Sequence, residues 1–199
     1  MKKDAMYEQK KIAVREILML IGEEPDREGL KETPDRVARM WKEIFRGYDI
    51  KNKPKVTVFN NGSDGIVYDQ MACDTGNFYS HCEHHIVPFF GKYFFAVIYH
   101  PQGKILGLSK VSRVVDYYSA KLQVQERLGH QIVEELWKKL TGVKPPLAMG
   151  LVLECEHLCK SMRGVKKVGM MRTCILKGTF KTEPAARAEF LDWVNSNGR

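Results

Sequence analysis

The sequence predicts an α+β protein: a helical extension over residues 1–50, then a domain over residues 51–199 in which an antiparallel sheet carries two helices on one face. Three observations support this. Apolar residues recur at helical spacing before residue 50, β-branched and aromatic runs dominate much of the chain beyond it, and helical spacing returns between those runs. Strands grouped around one pair of helices suit an antiparallel sheet covered on one side.

Between about Tyr7 and Ile21, residues Ala13, Ile17, Leu20 and Ile21 share a helical face, and Gly22 comes next as a natural helix terminator. The stretch "TPDR" announces a second helix, with Thr33 as N-cap, Pro34 in the first turn, and Val37, Met40, Trp41 and Ile44 along one side. From Lys51 to Asp74 the β-type pieces "KVTVF" and "GIVY" flank "NNGSDG", whose Asn and Gly residues favour a tight turn. The run "KNKPK" before them is a solvated connector.

"YFFAVIY", the turn "HPQGK" and the apolar piece "ILGLS" predict a hairpin. Val111, Val114, Val115 and Tyr118 then mark one helix, and Leu128, Ile132, Leu136 and Leu140 a longer one ending near Gly142. "AMGLVLECEH" and "RTCILKGTF" read as strands, and "PAARAEFLDWV" as a closing helix opened by proline.

At 199 residues and 44% hydrophobic, the chain can bury one sizeable core. No apolar run is long enough for a membrane span, and "MKKDAMYEQKK" leads into a charged helix rather than a signal peptide, so the expected location is the cytoplasm. Five cysteines, an odd count, favour reduced thiols over a disulfide framework and leave some free to bind metal. A net charge of +8 points to an anionic partner: nucleic acid, a membrane surface or a phosphorylated small molecule.

The chemistry concentrates in "SHCEHHIVPFFGK" at residues 80–92 and in "ECEHLCKSMRG" from Glu154. Cys82 and His85 are spaced so that one short turn can present both to a single ion. Cys155, His157 and Cys159 alternate as they would on one strand face. Thiolate with imidazole favours zinc over magnesium or calcium. Cys82, His84, His85, His157 and Cys159 together oversubscribe a tetrahedral ion. Two arrangements satisfy that limit: a catalytic zinc with three protein ligands and histidines beside it to move protons, or a four-ligand structural zinc completed by Cys155 or a second histidine. A cationic set, Lys110, Arg113, Arg163, Lys166 and Lys167 with Arg36, suggests an anionic substrate, since Arg163 lies only four residues beyond Cys159.

The motifs "REGLKETPDRVARMW", "CEHHIVPFFGK", "LGLSKVSRVVDY", "QVQERL", "EHLCKSMRGV" and "ARAEFL", in this order, closely resemble the GTP cyclohydrolase I family. The resemblance implies the tunnelling fold, a homodecamer of two stacked pentameric rings with active sites between subunits, and hydrolysis of GTP to dihydroneopterin triphosphate and formate. It implies Cys82, His85 and Cys159 as zinc ligands and His84 and His157 as acid–base residues, with activated water attacking C8 of the purine while a histidine protonates N7. Glu126 matches the residue that holds guanine, and Gln125 and Ser109 match residues near the ribose. Lys110, Arg113 and Arg163 match the triphosphate clamp, joined by Arg36.

The chain departs from the family pattern in "VGMMRTC", where Met170 and Met171 replace hydroxyl side chains, a change bearing on ring packing, product release and regulation. Three other readings compete: a basic zinc-containing module for RNA or DNA, a relative of the tunnelling-fold nitrile reductases with Cys82 as nucleophile, and a cyclohydrolase that takes another purine nucleotide or stops at the formamide. The signature of the nitrile reductases is not apparent, and a cysteine committed to zinc is a poor nucleophile; no nucleic-acid or membrane partner is expected.

Overall fold

The helical spacing before residue 50 becomes α1 (Lys2–Leu20) and α2 (Thr33–Ile44) in the computed structural model, which describes residues 2–107, 109–142 and 144–198. These helices belong to one compact unit, ending at Arg46; a second begins at Gly47. Val14, Leu18, Pro34 and Ala38 are buried residues of α1 and α2, and Tyr7 donates a 2.7 Å hydrogen bond to Asp35. Thr33 is the first helical residue rather than the N-cap. Glu32 occupies the cap position without a side-chain bond, and the Thr33 hydroxyl instead accepts from Arg36 at 3.1 Å.

The second unit contains β1 (Val58–Asn60), β2 (Met71–Cys82), β3 (Pro88–Ile98), β4 (Lys104–Leu106), α3 (Lys110–Ser119), β5 (Leu122–Gln123), α4 (Gln125–Leu140), β6 (Ala148–His157), α5 (Leu158–Ser161), β7 (Met170–Gly178), α6 (Thr179–Thr182) and α7 (Pro184–Asn197). Its main sheet has the order β5-β2-β3-β6-β7. All pairs are antiparallel except the short β5, which runs parallel to β2 at His81 and Cys82.

Alternation places each strand residue on one of two faces. Tyr93, Phe95 and Val97 of β3 join Leu151 and Leu153 of β6 under the helix pair, where Val111, Val114, Leu128, Ile132 and Leu136 complete the larger core. Phe94 and Ala96 point the other way and pack with Phe180, Phe190 and Val194. The predicted helix pair is therefore present on one face, and α7 covers part of the other.

Several local expectations are corrected. "GIVY" is not a strand, because Asn61 holds the segment by its side chain: the amide donates to the carbonyls of Tyr68 and His100 and accepts from the Tyr68 N–H, replacing a ladder by side-chain bonds. "ILGLS" does not form a hairpin with β3. Its Ile105 and Leu106, with Lys104 before them, pair instead with β1 in a separate two-stranded sheet, and Leu108 of that piece lies outside the described residues. The last predicted strand stops at Gly178, whose φ of +62° turns the chain into α6 and where an added Cβ would lie 2.0 Å from the Leu147 carbonyl oxygen. Among the described residues, no helix is long and apolar enough to cross a membrane.

Candidate metal centre

Sheet register brings the two chemical motifs together. His81 pairs with Pro88 across β2 and β3, and Phe89 pairs with His157 across β3 and β6. The β2–β3 turn, which holds His84 and His85, is therefore next door to the β6–α5 junction, which holds His157 and Cys159. The turn is closed by bonds from Ile86 N to Cys82 O at 2.8 Å and from Cys82 N to Val87 O at 2.9 Å, while Glu83 N donates to Gln123 O at 3.1 Å. Ile86, immediately after His85, has φ +57°, a left-handed conformation costly for a β-branched residue and held here by those bonds.

At this junction the sulfurs of Cys82 and Cys159 and a ring nitrogen of His85 lie within 4.8 Å of one another. They are the predicted ligand triad, and they could hold a metal ion. The Nδ1 atoms of His84 and His85 are 3.6 and 3.9 Å from Cys82 Sγ. Burial, then the hydrogen bond and charge of the adjacent Cys82 thiol, push the Cys159 thiol above its usual pKa. A cation between the sulfurs acts in the opposite sense, favouring thiolates.

Cys155, His157 and Cys159 do not share one strand face, because β6 ends at His157 and Cys159 stands on α5. Cys155, the candidate fourth ligand of a structural zinc, is wholly buried in the larger core, and burial raises its pKa far above the ordinary thiol range.

Arg163 Nη1 donates to His85 Nε2 at 2.8 Å, so the predicted cation does stand beside the triad. His157 is half-buried with its ring flat against Phe89. Burial lowers its pKa, Glu126 in the first turn of α4 pulls it up, and Lys160 pushes it down. Gln125, expected beside a ribose, is only 1% exposed and bonds to His157 instead.

The remaining cations are placed elsewhere. Ser109 occupies the N-cap position of α3 without a side-chain bond, ahead of Lys110 and Arg113, and Ser112 is fixed near the start of β2 by Tyr93, whose hydroxyl lies 2.9 Å from Ser112 Oγ and donates to Asp74 at 3.0 Å. Asp74 is eight residues before Cys82 on β2, about 26 Å away at the usual strand rise of ~3.3 Å per residue. One chain therefore does not bring Ser109, Lys110 and Arg113 to the triad. Arg36 belongs to the N-terminal unit, paired with Glu32 at 3.7 Å, and Lys166 and Lys167 lie exposed beyond Arg163.

Two residues that sequence reasoning missed brace the site. Arg127 donates to the Glu83 carboxylate and, at 3.0 Å, to Gln123 Oε1, tying the metal turn to α4, and Phe89 backs His157. Arg127 lies inside the motif "QVQERL", but its partner is 44 positions away.

The family model for GTP cyclohydrolase I matches residues 10–195. GTP cyclohydrolase 1 of Caldanaerobacter subterraneus subsp. tengcongensis is 47% identical over 197 residues, covering 96% of this chain and 99% of that protein. The Acetivibrio thermocellus protein of the same name is 45% identical over 94% of this chain and 97% of its own, and that of Helicobacter pylori 41% identical over 88% and 94%.

Proposed function

The chain belongs to the GTP cyclohydrolase I family, and on that premise we propose that it hydrolyses the imidazole ring of GTP, releasing formate and giving 7,8-dihydroneopterin triphosphate, at a zinc centre held by Cys82, His85 and Cys159. The observation that carries this reading is the meeting of those three donor atoms within 4.8 Å, with two further histidines at the same junction. Two thiols and an imidazole suit zinc, and three protein ligands leave one position open, as a catalytic rather than structural site requires. When bound there, zinc supplies Lewis acidity and a water acidic enough to act near neutral pH.

The side chains account for the rest. His84, on the metal turn, and His157, across β3, exchange protons with the purine and the opened ring. Glu126 is an acceptor for the guanine N–H groups, and Arg163, beside His85, faces the triphosphate. Ser109, Lys110 and Arg113 serve the same reaction from a neighbouring copy, since within one chain their helix is tied through Ser112 and Tyr93 to Asp74, at the other end of β2 from Cys82.

The assembly this requires is the ring of the tunnelling fold, residues 51–199 forming the catalytic domain and residues 1–50 an extension. Two features support it. Strand β7 closes one edge of the sheet with no further partner, and β2 pairs with β5 only at His81 and Cys82, so among the described residues both edges are open to another copy.

The test is incubation of zinc-quantified protein with GTP while following formate and pterin fluorescence. Both products are expected. Formate without pterin would mean that the reaction stops at the opened ring, and neither product from zinc-loaded oligomer would refute the assignment.

A further inference from the structure

Gln125 is 1% exposed, and its amide meets three groups. Nε2 donates to the carbonyl oxygens of Leu153 at 3.0 Å and Met171 at 3.1 Å, and Oε1 lies 2.8 Å from His157 Nε2. Backbone carbonyls only accept, so the nitrogen edge of the amide must face them; turning the amide over would set its oxygen against two others. The amide oxygen is thereby left facing the imidazole. It too only accepts, so His157 Nε2 must carry a hydrogen. Phe89, parallel to the ring within 3° at a centroid distance of 4.5 Å, fixes the plane in which that bond is made.

We propose that Gln125 is a positioning residue that locks His157 in its Nε2–H form, so that His157 exchanges protons through Nδ1 alone. This rests on the reading of His157 as an acid–base residue and deepens it. The neutral ring takes a proton on the Nδ1 lone pair, the resulting imidazolium keeps Nε2–H on Gln125, and the same proton leaves from Nδ1. The bond to Gln125 survives both states, so no group has to rotate between accepting and donating. The opposite tautomer would aim the Nε2 lone pair at Oε1, acceptor against acceptor in a half-buried site. A direct ribose contact does not suit an amide with 1% exposure whose partners are already supplied by the protein.

Nitrogen-15 NMR of histidine-labelled holoenzyme in mildly alkaline buffer, assigned by difference from His157→Ala, reads the tautomer directly. A protonated Nε2 and bare Nδ1 are expected; the reverse in the unmutated protein would overturn the proposal, whatever any variant does. Gln125→Leu should lose the fixed tautomer and roughly tenfold to a hundredfold in kcat, with KM for GTP and zinc content nearly unchanged. Gln125→Glu keeps an acceptor toward Nε2 and should keep the tautomer, but its second oxygen faces the Leu153 and Met171 carbonyls, so it should cost stability and recover only part of kcat. A rise in KM at constant kcat in Gln125→Leu would make Gln125 a substrate contact and refute the positioning role. Undiminished turnover in His157→Ala would remove the proton-exchange half through the reading beneath it, while the spectrum of the unmutated protein would still judge the Gln125 contact separately.

Discussion

His157 and Phe89 lie ring on ring, 4.5 Å between centroids and 3° from parallel, because they are direct partners across the β3–β6 ladder. Phe89 is also wholly buried, with Phe78 edge-on to it at 6.3 Å. Phe89→Leu keeps the apolar contact and loses the flat support. We expect a stability loss of about 1–2 kcal/mol in urea unfolding, and a fall in kcat larger than any change in KM. An unchanged kcat would show that the stacking holds the core and does not serve the histidine.

The ligand and acid–base roles separate in metal analysis. His157→Ala should retain its zinc and lose roughly 10²- to 10⁴-fold in turnover, whereas Cys159→Ala should lose both. Chelation of the parent protein should abolish turnover and added zinc restore it. Equal zinc loss in the two variants would make His157 a ligand.

Arg163 sits 2.8 Å from His85 and is exposed, free to meet an incoming anion. Arg163→Ala should weaken GTP binding by roughly tenfold to a hundredfold, the range of a charge-assisted bond, and guanosine binding far less. Calorimetry with both ligands on zinc-matched samples decides it: equal losses would take Arg163 out of the triphosphate clamp.

The alkaline limb of stability should carry the mark of Tyr93. Burial pushes its phenol up to about 12, against the relief of the Ser112 bond and with Asp74 adding to the rise. Below the ordinary tyrosine value near 10, both states are protonated and the contribution is intact. Above it the unfolded chain loses the proton first, so stability falls by about 1.4 kcal/mol per pH unit until the folded group titrates near 12. Denaturant midpoints between pH 9 and 12 should fall less steeply in Tyr93→Phe, and identical slopes would contradict the assignment.

The features legible in the sequence were those that repeat at short range. Val111 and Val114, or Leu128, Ile132 and Leu136, declare helices because their partners lie one turn away. Cys82 and His85 declared a ligand pair for the same reason. β2 is not legible as a strand, because its outward positions, Asn77 and Tyr79, interrupt the apolar run that Phe78 keeps on the inner side. The non-strand path of "GIVY" depends on one amide, Asn61, gripping Tyr68 and His100. The setting of His157 is illegible for a related reason: Phe89 and Gln125 reach it, and the Met171 carbonyl reaches Gln125, through strand register and the path of α4, which spacing along the chain does not encode.

The start of α3 and the metal triad occupy opposite ends of one sheet, so under the composite-site reading no chain owns a complete site: each lends a cationic half to one neighbour and a metal half to another. Defects then become a property of the population. Arg113→Ala, poorly active at low GTP, and Cys159→Ala, inactive, should complement at low GTP when co-refolded in equal amounts, since about a quarter of head-to-tail contacts join two intact halves. A chain damaged at both ends would instead poison two sites for every copy incorporated. Failure of the mixture to regain activity would assign both halves to a single subunit.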